Sequence, residues 1–196
     1  MSEKNSKFLK NAWYAAIWAH ELPDSLPIPK TFLNEPVVLF RTTDGTPVAL
    51  ADKCCHRAAP LSLGECDGDG IRCGYHGLKF DEAGNCVEIP GQTQIPPGAT
   101  VQAYPTVERW NMVWIWMGDP AQADDSTIPE YFWLDDTEWK AATGYIPMQG
   151  NYQLLVDNLL DFTHVIYLHK KTLSANPEEA KVPVKVDRGE RSIAVS

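Results

Sequence analysis

The sequence has no apolar run long enough to span a bilayer, which takes about 20 residues. Its longest candidate, Ala12 to Ala19, is cut off by His20 and Glu21. That stretch follows Lys4, Lys7 and Lys10, as a secretory signal would, but it has no long aliphatic centre and no small-residue cleavage site. A cytoplasmic protein is expected. Positive charge is also scarce: 17 Lys and Arg stand against 26 Asp and Glu, a formal net charge of -9. Capture of nucleic acid or of an anionic membrane is thereby excluded as the main business, and an electropositive partner surface is favoured. Nor is there an even set of cysteines. Of the five, Cys54, Cys55, Cys66 and Cys73 crowd together and Cys86 follows closely. An odd number without a signal segment argues against a disulfide framework and for a metal or redox centre. Internal repeats and low-complexity segments are missing as well. What remains is an ordinary globular composition in 196 residues, enough for one large domain or two small ones with a sizeable core.

The punctuation of the first 120 residues is that of an all-β domain. Val37 to Arg41 reads as a strand, Asp44-Gly45 as a two-residue turn and Val48 to Ala51 as the returning strand. Gly68-Asp69-Gly70 precedes Ile71-Arg72-Cys73, and a turn at Gly84-Asn85 separates Leu78-Lys79-Phe80 from Cys86 to Ile89. A loop rich in Pro and Gly, Pro90 to Pro105, leads into Val107-Glu108-Arg109 and then Met112 to Met117. There Trp114 and Trp116 share one face and Val113, Ile115 and Met117 the other, the pattern of a strand buried on both sides with core tryptophans. Gly118 to Pro129 is polar and marks a domain boundary. From Asn151 to about Thr163, Tyr152, Leu155, Val156, Leu159 and Leu160 recur at helical spacing. Val182, Val184 and Val186 then alternate, Arg188-Gly189 turns, and Arg191, Ile193 and Val195 alternate again.

Two constellations carry chemistry. In the first, Cys54 and His56 are separated by one residue, sixteen residues intervene, and Cys73 and His76 are separated by two. Each half supplies one thiolate and one imidazole. A common zinc finger puts two Cys in one half and two His in the other, whereas a Rieske centre needs two Cys on one iron and two His on the second. Two facing hairpin tips of mixed type satisfy that demand, and Pro60, Gly64, Gly74 and Gly77 permit the tight backbone. A structural zinc site is the plainer alternative. Cys66 and Cys86 read as small buried hydrophobes.

The motif His56-Arg57-Ala58-Ala59-Pro60-Leu61-Ser62 with Cys73-Gly74-Tyr75-His76-Gly77-Leu78 resembles the Rieske domain of bacterial Rieske non-heme iron oxygenases. Asn11-Ala12-Trp13-Tyr14 and Trp114-Ile115-Trp116-Met117-Gly118-Asp119-Pro120 resemble the vanillate O-demethylase and dicamba monooxygenase branch in particular. Cys55 departs from the branch, which usually has proline there, and is read as a spare thiol. The resemblance implies an α+β protein: an N-terminal all-β Rieske domain over residues 1-120, then, over 121-196, the start of an α+β helix-grip catalytic domain that ends before completion. It also implies that Cys54, His56, Cys73 and His76 bind a 2Fe-2S cluster. Respiratory Rieske proteins carry an extra Cys in each loop and a Ser hydroxyl on a sulfur. Ala59, Tyr75 and Leu78 stand in those places, and the low-potential end of the Rieske range follows.

The second constellation is Asp161, His164 and His169. Asp161 precedes His164 by three residues, so the two are expected on one helix face. His164 and His169 diverge by about 140°, so joint ligation requires a bend, a bulge or a helix end between them. Taken alone, two histidines in an apolar helix are more simply core or surface residues. The resemblance makes His164 and His169 ligands of a mononuclear Fe(II), Asp161 the bridging carboxylate that meets a Rieske His of a neighbouring subunit, with His76 the choice, and Asn158 a polar residue near the iron. The third iron ligand of the family is an Asp far downstream. Asp187, Glu178, Glu179 and Glu190 match nothing of its motif, and none is assigned.

The function so implied is that of the oxygenase component of a multicomponent monooxygenase. It uses O2 and electrons from an NAD(P)H-dependent flavin and iron-sulfur reductase or a ferredoxin to oxidise a small aromatic substrate, typically by O-demethylation, in a homotrimer without nucleic acid or membrane. Ring or methyl hydroxylation is the near alternative. A stand-alone Rieske electron carrier and a zinc-stapled interaction domain are the rivals from other classes. Residues 131 to 169 discriminate against the carrier, which needs no helix bearing Asp161, His164 and His169.

Overall fold

The computed structural model describes residues 8-172, 183-190 and 192-195. The chain falls into two compact units, one reaching Thr143 and the other starting at Gly144.

The first unit is built of short strands in three antiparallel sheets. Strand β1 is Ala12–Trp18, β2 Ile28–Phe32, β3 Glu35–Arg41, β4 Pro47–Ala51, β5 Glu65–Asp67 and β6 Gly70–Arg72. Strand β7 is Lys79–Phe80, β8 Cys86–Glu88, β9 Ala103–Tyr104, β10 Thr106–Arg109 and β11 Met112–Met117. The sheet orders are β1-β11-β10, β2-β3-β4-β9 and β5-β6-β7-β8. The run from Ala12 that looked apolar is thus a strand, its Trp13 opposite Trp116 of β11. Strands β5 and β9 carry too few residues for a period to be read from the sequence.

Strand β3 explains how the core is divided. Its residues Val37, Val38, Leu39 and Phe40 are all fully buried, because alternate side chains enter two different cores. Val38 and Phe40 pack with Leu50, Leu61, Ile71, Phe80 and the two thiols Cys54 and Cys73. Val37 and Leu39 pack with Tyr104, Val113, Ile115 and Met117. Each such side chain contributes about 1.5–3 kcal/mol by leaving water. Trp114 and Trp116 are buried on the other face of β11, Trp116 edge-on to Trp13 at 5.4 Å. The hairpin between β3 and β4 differs from the two-residue turn expected at Asp44-Gly45. Arg41 pairs with Pro47, leaving five residues in the loop. The Asp44 carboxylate accepts from the Thr42 hydroxyl and the Thr46 amide, which closes the longer loop from inside.

The second unit starts with α1, Tyr152–Leu160, whose cap Asn151 accepts from the Gln153 amide at 3.0 Å. A single 3-10 turn, Phe162–His164, leads into the short α2, Val165–Leu168. Strands β12, Val186–Arg188, and β13, Ile193–Val195, form a hairpin shifted from the expected one: Val184 precedes β12, Arg188 pairs with Ile193 instead of turning, and the loop is 189-192, closed by Gly189 N donating to Ser192 O at 2.8 Å. Val182 and Arg191 of the expected alternation, and the acidic candidates Glu178 and Glu179, lie outside the described residues. Among the described residues no helix is long and apolar enough to cross a membrane.

Candidate metal centres

The two loops that carry the first constellation have the same local form. The Cys54 carbonyl accepts from Ala58 N at 2.9 Å and Cys54 N donates to Ala59 O at 2.8 Å. One loop on, the Cys73 carbonyl accepts from Gly77 N at 3.0 Å and Cys73 N donates to Leu78 O at 2.8 Å. Each cysteine therefore roots a turn whose tip carries the histidine. The roots are buried, Cys54 at 3% and Cys73 at 2% exposure, whereas His56 and His76 are exposed. Their rings meet at 4.6 Å between centroids, tilted by 62°. The backbones can run this close because two positions lack a side chain. A Cβ at Gly64 would lie 1.9 Å from the Arg72 carbonyl oxygen, and one at Gly74 would lie 2.7 Å from that of Leu63. The first loop is braced by Asp52, whose carboxylate accepts from Ser62 N at 2.7 Å and Ser62 Oγ at 2.6 Å.

Burial pushes the Cys54 thiol up to about 11; Cys73 adds to the rise, and the His56 amide that donates to the sulfur opposes it. Both sulfur donors lie in the apolar core. The arrangement is two thiols below and two imidazoles above. Among the described residues no three His, Cys, Asp or Glu side chains gather as a single-ion site. A two-iron cluster asks for only two protein ligands on each iron, and this layering fits it. Cys55 is exposed beside His56, on a groove shared with Leu78, Ile89 and Pro96, and takes no part in the turn bonds that Cys54 makes. Burial also raises the Cys66 and Cys86 thiols, and neither sits in the two loops. All five cysteines are free.

Around the second constellation the helix stops. Asp161 has φ -95° and ψ 91°, so it caps α1 instead of continuing it. The expectation that Asp161 and His164 share one helix face is corrected accordingly. The Asp161 carboxylate turns to Thr163, accepting from its amide at 3.0 Å and from its hydroxyl, and these bonds hold it below the usual carboxylate range. His164 Nδ1 meets the Asp161 main-chain oxygen. A carbonyl only accepts, so Nδ1 carries a proton, which leaves Nε2 as the ring nitrogen available to a metal. His164 opens α2 and His169 closes it, with ring centroids 5.5 Å apart. The interruption that their spacing required is present. Asn158 is exposed in the last turn of α1.

Sequence reasoning missed two neighbours of the first site. Tyr75 lies over His76 at 3.9 Å between centroids. Arg72 bonds the loop from outside, donating to the Gly77 carbonyl at 2.8 Å. The only signal was adjacency, a cation directly before Cys73.

A strand-built domain that presents paired Cys and His loop tips is the class defined by these observations, and comparison with known proteins agrees. Residues 12-105 match the Rieske 2Fe-2S domain, and residues 148-196 match the vanillate O-demethylase oxygenase C-terminal domain. The iron-sulfur subunit of a toluene-4-sulfonate monooxygenase system from Comamonas testosteroni is 53% identical over 177 residues, 90% of this chain and 51% of that protein. The oxygenase component of dicamba O-demethylase from Stenotrophomonas maltophilia is 43% identical over 164 residues, 83% of this chain and 48% of that protein. The crystal structure of dicamba monooxygenase bound to dicamba superposes with a TM-score of 0.89 at 38% identity, covering 97% of this chain and 57% of the other. This chain spans about half the length of the curated relatives it matches. The chain belongs to the Rieske non-heme iron oxygenase family, in the branch of the vanillate and dicamba O-demethylase oxygenase components.

Proposed function

We propose that this chain is part of the oxygenase component of a multicomponent Rieske monooxygenase that oxidises a small aromatic substrate, by O-demethylation in the first reading. The observation that carries it is the pair of exposed imidazoles 4.6 Å apart above two buried thiols. Cys54 and Cys73 would hold one iron of the cluster and His56 and His76 the other. His164 and His169 would hold the mononuclear Fe(II), the Asp161 carbonyl fixing the His164 tautomer. When bound, the cluster stores single electrons and the mononuclear iron activates O2.

The chain's own residues supply position and proton control. The turns rooted at Cys54 and Cys73 fix the thiols in an apolar, water-poor core and leave the imidazole edges to a partner. The Thr163 hydroxyl and amide hold the Asp161 carboxyl below its usual range, and we assign that carboxylate the role of accepting from His76 of the partner subunit in a homotrimer. Asn158, one helical turn earlier, is proposed as a polar neighbour of the iron. We assign residues 1-120 to a Rieske domain and 121-196 to the N-terminal part of the mononuclear iron catalytic domain, an assignment supported by a Rieske match over 12-105 and a vanillate O-demethylase oxygenase C-terminal domain match over 148-196. A cytoplasmic setting and an NAD(P)H-dependent flavin and iron-sulfur reductase, or a ferredoxin, complete the proposal. The 53% identity to a toluene-4-sulfonate monooxygenase subunit favours a second reading, oxidation of a ring methyl on an aromatic sulfonate.

The test supplies the complete oxygenase with reductase, NADH and O2 and offers aryl methyl ether acids and toluene-4-sulfonate. Formaldehyde release from the ethers supports O-demethylation. A hydroxylated product that keeps its carbon supports the second reading, and reductase oxidation with neither product rejects both.

A further inference from the structure

The second loop is gripped by an arginine whose donors are all committed. Arg72 Nε and Nη2 donate to Asp67 Oδ2 at 2.9 and 2.6 Å, Nη1 to Glu88 Oε1 at 3.1 Å, and Nη2 to Glu88 Oε2 at 2.8 Å. The remaining Nη1 proton goes to the Gly77 carbonyl at 2.8 Å. Those bonds use the whole fork of five N–H groups. Asp67 is fixed further by Lys79 Nζ at 3.3 Å.

Gly77 follows His76 directly. Its amide is tied to the Cys73 carbonyl, its carbonyl to Arg72, and its Cα faces Pro90, whose Cγ would lie 2.8 Å from a Cβ there. Gly77, the residue after His76, is thus fixed on three sides, and Arg72 links it to β5 and β8. The first loop is braced differently, by the Asp52 carboxylate, which accepts from the Ser62 amide and hydroxyl.

Resting on the reading of His76 as a cluster ligand, we propose that Arg72 is a positioning residue: through the Gly77 carbonyl it sets the direction in which the His76 imidazole is presented. The geometry of the fork does this, not the charge alone. Lysine keeps the charge but offers a single point and cannot hold three acceptors in one plane.

The experiment compares Arg72→Lys, Arg72→Gln and, as a variant that keeps the guanidinium with its bonds to Asp67 and Gly77, Glu88→Gln, in the protein as purified. Hydrogen-exchange mass spectrometry over residues 73 to 80 should show the loop exchanging about 10–100-fold faster in both Arg72 variants, the loss expected for one charge-assisted bond. Peptides from β3 and β4 should exchange as in the native protein. Pulsed EPR on the reduced sample should show one of two imidazole nitrogen couplings moved in both Arg72 variants and neither moved in Glu88→Gln. Loop exchange unchanged in Arg72→Gln overturns the proposal, and so does a native spectrum on a loosened loop, which leaves a structural brace. Full recovery in Arg72→Lys overturns it in favour of charge. If the native protein carries no acid-labile sulfide, the functional reading itself fails. The Arg72 assignment is then decided by the nuclear Overhauser effect between the His56 and His76 rings, expected in the native protein and weakened in both Arg72 variants.

Discussion

The two candidate centres are held in different ways. At the first, Cys54 and Cys73 are part of a core shared with Phe40, Leu50, Ile71 and Phe80, and strands from distant parts of the chain converge on them. At the second, His164 and His169 are half-buried at the two ends of a short helix, and the hydrogen bonds that hold them, to Asp161, Val165 and Thr172, come from residues at most four positions away. No residue of α1 is buried, and Leu154, Leu155, Leu159 and Leu160 are all exposed. A site set in a shared core is preorganised before a metal arrives. A site set by local turns has its spacing fixed by the chain next to it.

That contrast is broken or sharpened by four measurements. The largest effect is expected for Cys73→Ser, which should reduce acid-labile sulfide to background, whereas His164→Ala should leave the reduced-cluster spectrum unchanged. A cluster spectrum altered by His164→Ala would show that the centres are not independently built. Next, Phe80→Ala should cost the first unit about 3–5 kcal/mol in urea unfolding, because the ring is fully buried beside the second loop. Leu159→Ala on α1 should change that same transition by less than about 0.5 kcal/mol. In the complete enzyme, Asp161→Asn should leave both metal contents unchanged while slowing single-turnover electron transfer about 10–100-fold. An unchanged rate would end the bridging role.

The smallest effect concerns pH. Arg72 holds the Asp67 and Glu88 carboxylates below their usual range, with Lys79 assisting at Asp67. A depressed carboxylate stabilises the fold fully above its unfolded value near 4 and loses that contribution as pH falls through the lower folded value. The denaturant midpoint of the first unit should therefore fall as pH drops from about 5 to 3. Asp67→Asn should flatten that slope, and an unchanged slope would mean the ion pairs are too solvated to matter.

Much of this was legible because period and spacing are local. The alternation in Met112 to Met117, the helical recurrence from Tyr152 to Leu160 and the Cys and His spacing each survive in the structure. Three things were not legible. Asp161 ends α1 because its carboxylate prefers Thr163, a competition between side chain and helix that helical spacing hides. Strand β9 is two residues in a loop and exists through pairing with β4. The bond from Arg72 to Gly77 joins neighbours in sequence across a turn whose shape only the fold defines.

The most direct test of the central claim is iron and acid-labile sulfide per chain, with EPR of the dithionite-reduced protein on the same sample. The account predicts about two sulfides with at least about two irons and a Rieske-type signal. Zinc without sulfide, in a colourless and EPR-silent protein, would contradict it.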